Sequence, residues 1–339
     1  MSTKHGSTAL ILSAVTAMAP LSTEAQNPIE RLDPRFDALI PPGAELERLA
    51  DGMEWAEGPL WDAQDGSLLF SDIPRNTVFR WKDGAGLSVF LEPSGYTGSE
   101  PFTGREPGSN GLAFDGDGRL ILCQHGDRRI ARLESDGSFT VLAERYQGKR
   151  LNSPNDLVFT TDGDLYFTDP PYGLPGTFDD TTKELDFQGV YHLDADGELT
   201  AVITDLNAPN GVALSPDGQT LYVANSERSR PVWMAYPVLD DGSVGPGREF
   251  AEARAWVREG TGVPDGLKVD QRGNLFATGP GGIHVFAPDG TRLGRIETGV
   301  PTANVAWGGD DGSVLYITAN DAILRLRTTT RGLSTSPGR

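Results

Sequence analysis

Cysteine is almost missing from this chain: Cys123 is the single one in 339 residues. An internal disulfide and a cysteine-built zinc centre are therefore excluded, and the setting of Cys123 in "LILCQ" predicts a buried strand thiol. Basic residues are also scarce. Lys and Arg number 29 against 48 Asp and Glu, a net charge of −19, which argues against holding nucleic acid or an anionic membrane through the surface field. Long hydrophobic runs are missing too. The most apolar stretch, "TALILSAVTAMAPL", is too short and too rich in Ser, Thr and Ala to span a bilayer. No G-x-S-x-G elbow, H-E-x-x-H helix or P-loop occurs. "DGDGR" at 115–119 begins like a calcium loop but has no Glu in the place of an EF-hand's last ligand, so it reads as a turn.

What is present is punctuation: 42 Gly and 24 Pro, with 8% aromatic residues. Such a composition suits many short strands and tight turns rather than long helices. The first 25 residues read as a secretory signal, with Lys4 and His5 ahead of the apolar stretch and the small-x-small site "TEA" before Gln26. A periplasmic or secreted protein is expected. A lead-in over 26–43 and a disordered tail over 329–339 would flank a single domain at 44–328.

That domain repeats. First strands read "GPLW" from Gly58, "GLAF" from Gly111, "DLVF" from Asp156, "GVAL" from Gly211, "GLKV" from Gly266 and "NVAW" from Asn304. Each is followed by a polar turn such as "SPDGQT" and a second strand such as "LYVAN"; third strands ("TVFRW", "GVYHLD", "AILRLR") and several fourth strands follow. The period of 38 to 55 residues fits a four-stranded antiparallel sheet. Six copies predict an all-β, six-bladed β-propeller. The last copy is short, and "AELERLA" at 44–50 would supply its outer strand and close the ring. A pair of β-sandwiches is the competing architecture.

The residue just before each first strand forms a column: Glu57, Asn110, Asn155, Asn210, Asp265 and Ala303. Rotation about a propeller axis turns such a column into a ring around the tunnel mouth. A second column at the ends of the second strands (Asp72, His125, Asp169, Asn225, Gly279, Ala319) would form a neighbouring tier. Glu57 and Asp265 facing each other among amide oxygens would repel, and a hard divalent cation would relieve them. Oxygen-only donors favour calcium, then magnesium; zinc, copper or iron would call for His or Cys. The same Asn and Asp residues before Gly are also common in turns, so the residues alone leave a metal ring and a set of turns both open. His125 stands as a substrate-facing acid or base, as a partner behind a residue that touches metal or substrate, or as a loop hydrogen-bonder; His192 and His284, on third strands, read as structural. The loop 93–109 and "TDPPYGLPGTFDD" at 168–180 would roof the mouth or merely connect strands, with Tyr172 placed to stack on a substrate.

The strings "WAEGPLW", "NSPNDLVFTTDGDLYFTDPPYG", "PNGVALSPDGQTLYVAN" and "PDGLKVDQRGNLFATGPGGIHVF" resemble the SMP-30/gluconolactonase/LRE-like family, nearest to its bacterial gluconolactonase branch, over roughly 45–328. The resemblance implies a six-bladed propeller with one divalent metal on its axis, calcium before magnesium, zinc or manganese. It implies Glu57, Asn155, Asn210 and Asp265 as metal ligands, with Asn155 also a substrate contact in some members. Asn110 is held as a mouth residue, and with His125, Asn155 and Tyr172 it makes up the expected substrate-binding set. Ser153 stands where the animal branch carries a substrate-contacting Arg, so that branch's substrate does not transfer. The expected reaction is hydrolysis of a small sugar lactone or related cyclic ester, with Asp265 as general base and His125 in reserve. Phosphotriester hydrolysis on the same metal site and a non-catalytic calcium-binding propeller are the rivals.

Overall fold

A computed structural model describes residues 28–259 and 261–333. The signal-like leader and residues 334–339 lie outside the described residues. Six sheets of antiparallel strands are arranged as a six-bladed propeller. Blade 1 runs outward through Ala56–Asp62, Ser67–Asp72, Thr77–Lys82 and Gly86–Leu91. Blades 2 to 5 begin with inner strands Ser109–Phe114, Leu157–Phe159, Pro209–Leu214 and Leu267–Val269. Blade 6 has its inner strand at Thr302–Gly308, and its outer strand is Leu46–Asp51, paired with Ala322–Arg327 through Leu46 opposite Leu326. The ring thus closes as the sequence predicts.

Apart from the half-buried Thr220 that opens the second strand of blade 4, the second strands are buried along their whole length because each blade is covered on both faces. In Leu165–Asp169, Leu165 and Phe167 join a core with Ile121 and Ile130 of blade 2, while the intervening Tyr166 joins Val212 and Leu221 of blade 4. The two-residue alternation of a strand therefore ties neighbouring blades together. Cys123 is fully buried in the same way, and burial pushes its thiol well above the ordinary range.

Both ends reach further into the propeller than the sequence suggests. Ile29–Arg31 adds a fifth strand to blade 5, with Ile29 opposite Ile296. A 3-10 turn at Pro34–Ala38 comes next, started by Asp33, whose carboxylate accepts from the Arg35 N–H at 2.9 Å. That turn seats Phe36, and then Leu39 and Ile40, in the core beneath blades 5 and 6. At the other end the expected tail from 329 is corrected over its first residues. Thr330 is wholly buried, and its hydroxyl donates to the Asp270 carboxylate at 2.7 Å. Two further insertions interrupt the repeat: a small hairpin, Arg145–Tyr146 with Lys149–Arg150, and the helix Arg254–Glu259.

Candidate active site

The local backbone explains how the first column becomes a ring. In blades 1, 2, 4 and 6 the pairing of inner and second strands slips at the head of the inner strand, between Glu57 and Leu60, Ser109 and Leu112, Pro209 and Val212, and Thr302 and Asn304. Such bulges re-aim a side chain away from the alternating pattern. In blades 3 and 5 the ladder begins only at Leu157 and Leu267, so Asn155 and Asp265 lie just ahead of it. Glycine after the ring residue allows adjacent blades to touch. A Cβ on Gly58, where φ is +50°, would lie 2.0 Å from the Asn110 carbonyl oxygen, and one on Gly266 would lie 2.0 Å from the Asn304 side-chain carbon.

Hydroxyls at the ends of second strands latch the ring from blade to blade. Ser71 donates to the Asn110 carbonyl at 2.8 Å, Thr168 to the Asn210 carbonyl at 2.6 Å and Thr278 to the Ala303 carbonyl at 2.9 Å. Glu57, Asn110, Asn155, Asn210 and Asp265 consequently line one cavity of about 690 Å³, within the range of small-molecule sites.

Among the described residues no three His, Cys, Asp or Glu side chains cluster as a metal site. The ring's donors are two carboxylates with carboxamides between them. One Glu57 oxygen accepts from the Gly58 N–H at 2.7 Å, but Asp265 Oδ1 and Asn110 Oδ1 are buried oxygens without a hydrogen-bond partner. Burial, then the nearby Asp156 charge, pushes the Glu57 carboxyl up to about 8. Burial and the Glu57 charge hold Asp265 well above the usual carboxylate range. Unpartnered acceptors and mutually destabilised carboxylates are what a divalent cation with oxygen preference would satisfy, so the residues present fit such an ion.

The second column behaves differently from the expected polar tier. Asp72 accepts the N–H groups of Glu54 and Trp55 at 3.0 and 3.2 Å, Asp169 that of Asn152 at 2.7 Å, and Asn225 that of Ala208 at 3.0 Å. These side chains turn back to clamp the segment that delivers each ring residue. His125 is also fully buried and does not line the cavity. Its Nδ1 stands 3.0 Å from a carboxylate oxygen of Glu106, which does line it. His192 pairs with Asp164 at 2.9 Å, and His284 contacts the Pro280 carbonyl at 2.9 Å; neither lines the cavity.

Both long loops do reach the mouth. Tyr172 and Phe178 form an edge-to-face pair with centroids 5.8 Å apart, and both line the cavity. The other loop is anchored by Asn76, whose Oδ1 accepts the N–H groups of Ser94, Gly95 and Tyr96. Sequence reasoning missed Glu106, which no repeat marks. It also missed Asp156 and Asn304, although a signal existed: they stand where the other four copies have Gly. The Asn304 side chain acts to lower the Glu57 carboxyl against the effect of burial, and Asp156 faces Lys268 Nζ at 3.4 Å.

Comparison with known proteins places the chain among lactonases in sequence and fold. The chain is 39% identical to a gluconolactonase of Zymomonas mobilis over 95% of each chain, and 30% identical to a pentonolactonase of Haloferax volcanii over 77% of this chain and 80% of that one. It superposes on the structure of a gluconolactonase from Xanthomonas campestris with a TM-score of 0.78 at 34% identity, covering 89% of this chain and 95% of that one. The sequence pattern of one family runs through residues 55–321, nearly the whole ring of blades and every member of the oxygen column. The chain belongs to the SMP-30/gluconolactonase/LRE-like family.

Proposed function

We propose that this protein is a metal-dependent hydrolase that opens a sugar lactone, or a closely related cyclic ester, in the cavity at the propeller mouth. The observation that carries the reading is the pairing of Glu57 and Asp265 in one cavity with carboxamide oxygens between them, in a chain so similar to a gluconolactonase along its length. Glu57, Asn155, Asn210 and Asp265 would hold the ion, with calcium first by donor type and magnesium, zinc or manganese as alternatives. A bound divalent cation supplies Lewis acidity toward a carbonyl oxygen and stabilises negative charge that develops there.

The chain's own residues supply the rest. Asn110 lines the cavity and its carboxamide oxygen has no hydrogen-bond partner, so a small side-chain rotation would let it accept a sugar hydroxyl. Tyr172 and Phe178 give an aromatic wall against a ring face, and Asn155, which lines the same cavity, would serve both ion and substrate. Asp265 is both ligand and the first candidate for activating water. A signal-like leader supports export to the periplasm or the exterior, where a small lactone would be the partner.

The test is hydrolysis of aldonolactones by purified protein before and after chelation, with each metal restored in turn, beside a panel of phosphotriesters. Lactone turnover lost on chelation and regained with one metal is the expected result. Preference for phosphotriesters would move the reading to that chemistry. Calcium binding without turnover of either class would leave a binding propeller.

A further inference from the structure

The loop that joins blade 1 to the inner strand of blade 2 brings one more carboxylate to the cavity. Glu106 lines the same space as Asp265 and Asn110 but belongs to no blade and to no position of the ring. Its side chain is 30% exposed, whereas Glu57 is 2% exposed, so Glu106 can meet water in the cavity while Glu57 is committed to the wall. Glu106 lines the cavity together with Asp265 of the ring and Tyr172 of the aromatic wall.

Behind Glu106 stands His125, which is fully buried. Its backbone N–H donates to the Gly108 carbonyl at 3.1 Å, and its carbonyl accepts from Arg128 at 3.2 Å. The second roof loop closes over it, since a Cβ on Gly173 would sit 2.6 Å from the His125 Cβ. The imidazole is therefore held in place. Nδ1 is 3.0 Å from Glu106 Oε2 but off hydrogen-bond angle, and neither ring nitrogen has a hydrogen-bond partner among the described residues. A buried imidazole with both nitrogens unpaired is costly unless a small movement completes the bond. Catalytic hydrogen bonds commonly tighten only when substrate is bound.

We propose that Glu106 is the general base of the hydrolysis and that His125 is the residue that positions it, an inference that rests on the lactonase reading above. A carboxylate that ligates a divalent ion gives up electron density and loses basicity, which weakens Asp265 as the base. Two cavity carboxylates lie outside the ring, Glu106 and Glu227; Glu227 already accepts from the Asn207 amide and the Ser229 hydroxyl, whereas Glu106 has His125 at its back. In the step, a water oxygen bonds to the lactone carbonyl carbon while Glu106 takes one of its protons. The carbonyl π pair moves onto the carbonyl oxygen. Collapse of the tetrahedral species breaks the bond to the ring oxygen, and the proton held by Glu106 passes to that leaving oxygen. One water is consumed, a hydroxy acid is formed and Glu106 is returned ionised. His125 Nδ1–H donates to Oε2 and fixes which carboxylate lone pair faces the water.

The experiment compares wild type, E106Q, E106A, H125N and the E106A/H125N double variant. Calcium affinity is measured by titration calorimetry and folding by thermal melts, alongside lactone kinetics. E106Q is expected to bind calcium with wild-type affinity, to keep KM within about threefold, and to lose about 10²- to 10⁴-fold in kcat. Added formate should restore at least tenfold of the lost rate in E106A by accepting the proton in its place. H125N should lower kcat with KM unchanged, and the double variant should be no slower than E106A alone, since His125 acts only through Glu106. Calcium-loaded E106Q with kcat within threefold of wild type overturns the assignment. So does a loss that formate leaves untouched, or one that tracks weakened calcium binding. Active wild type with active E106Q sinks this proposal alone, whereas wild type inactive on every lactone sinks it together with the reading on which it rests.

Discussion

Gly58 bears two constraints that no other residue type meets together. Its φ of +50° lies in the left-handed region, and a Cβ there would press within 2.0 Å of the Asn110 carbonyl oxygen. The contact joins the Glu57 segment to the Asn110 segment, so relief of a clash must move at least one ring residue. Gly58→Ala is expected to destabilise the fold by about 2 kcal/mol or more, from overpacking plus backbone strain, and to weaken calcium binding at the same time. Urea unfolding and calcium titration of the variant measure the two effects; unchanged values would mean that the blade interface yields freely. The same residue shows why the ring was legible in the sequence. "EGP", "SNG", "PNG" and "PDG" recur at one position of a repeat, and rotational symmetry converts recurrence into proximity. Asp72, Asp169 and Asn225 were recurrent too, yet periodicity could not say which way a side chain turns at a strand end. They turn toward backbone N–H groups of the preceding segment; for Asp169 and Asn225 those donors would otherwise be buried unpaired. Glu106, on a loop outside the repeat, had no pattern to betray it.

Strand closure of blade 6 by Leu46–Asp51 was legible because the last copy lacked an outer strand and a segment able to supply it lay just ahead of the first copy. The strand Ile29–Arg31 was not, since three residues are too few to show a period. It nevertheless carries weight through the turn and apolar anchors that come after it. Phe36 and Ile40 are fully buried and Leu39 nearly so, and the Arg31 guanidinium ties back to the carbonyls of Ile40 and Pro41 at 2.8 and 3.0 Å. Each such apolar side chain contributes roughly 1.5–3 kcal/mol when fully buried. A chain beginning at residue 44 keeps its ring-closing strand, so it is expected to fold but to melt about 10 °C or more below a chain beginning at residue 26. Differential scanning calorimetry of the two would decide. Equal melting temperatures would reduce the segment to a passive cover. Since the segment packs against blades 5 and 6, away from the cavity lining, KM for a lactone should not change.

At the scale of the whole molecule, the site puts negative charge where folding least tolerates it. Glu57 has its carboxyl pushed up to about 8 from an ordinary 4.5, and Asp265 is displaced in the same direction. A group whose pKa is higher in the folded state binds protons more tightly there, so between about 4.5 and 8 the folded, metal-free protein holds protons that the unfolded chain has released. The contribution to stability is complete below the unfolded value and is lost as pH rises through the folded one. A cation can replace those protons, so calcium should stabilise little near pH 5 and increasingly toward pH 8. Surface carboxylates such as Asp136, Asp217 and Asp311 are shifted down by their serine and backbone partners, and they act in the opposite sense only as pH falls into the acid range. The net charge of −19 also disfavours the compact state as pH rises, so a bare decline with pH would not isolate the site. Comparison with Glu57→Gln does, because the variant removes one buried ionisation and barely changes the global charge. Metal-free wild type is expected to lose several degrees of melting temperature between pH 5 and pH 8 relative to metal-free Glu57→Gln, and saturating calcium is expected to abolish that difference in wild type while binding the variant far more weakly. Parallel melting curves for the two metal-free proteins across this range would show that Glu57 titrates as it does in water, and that the ring places no electrostatic demand on a cation.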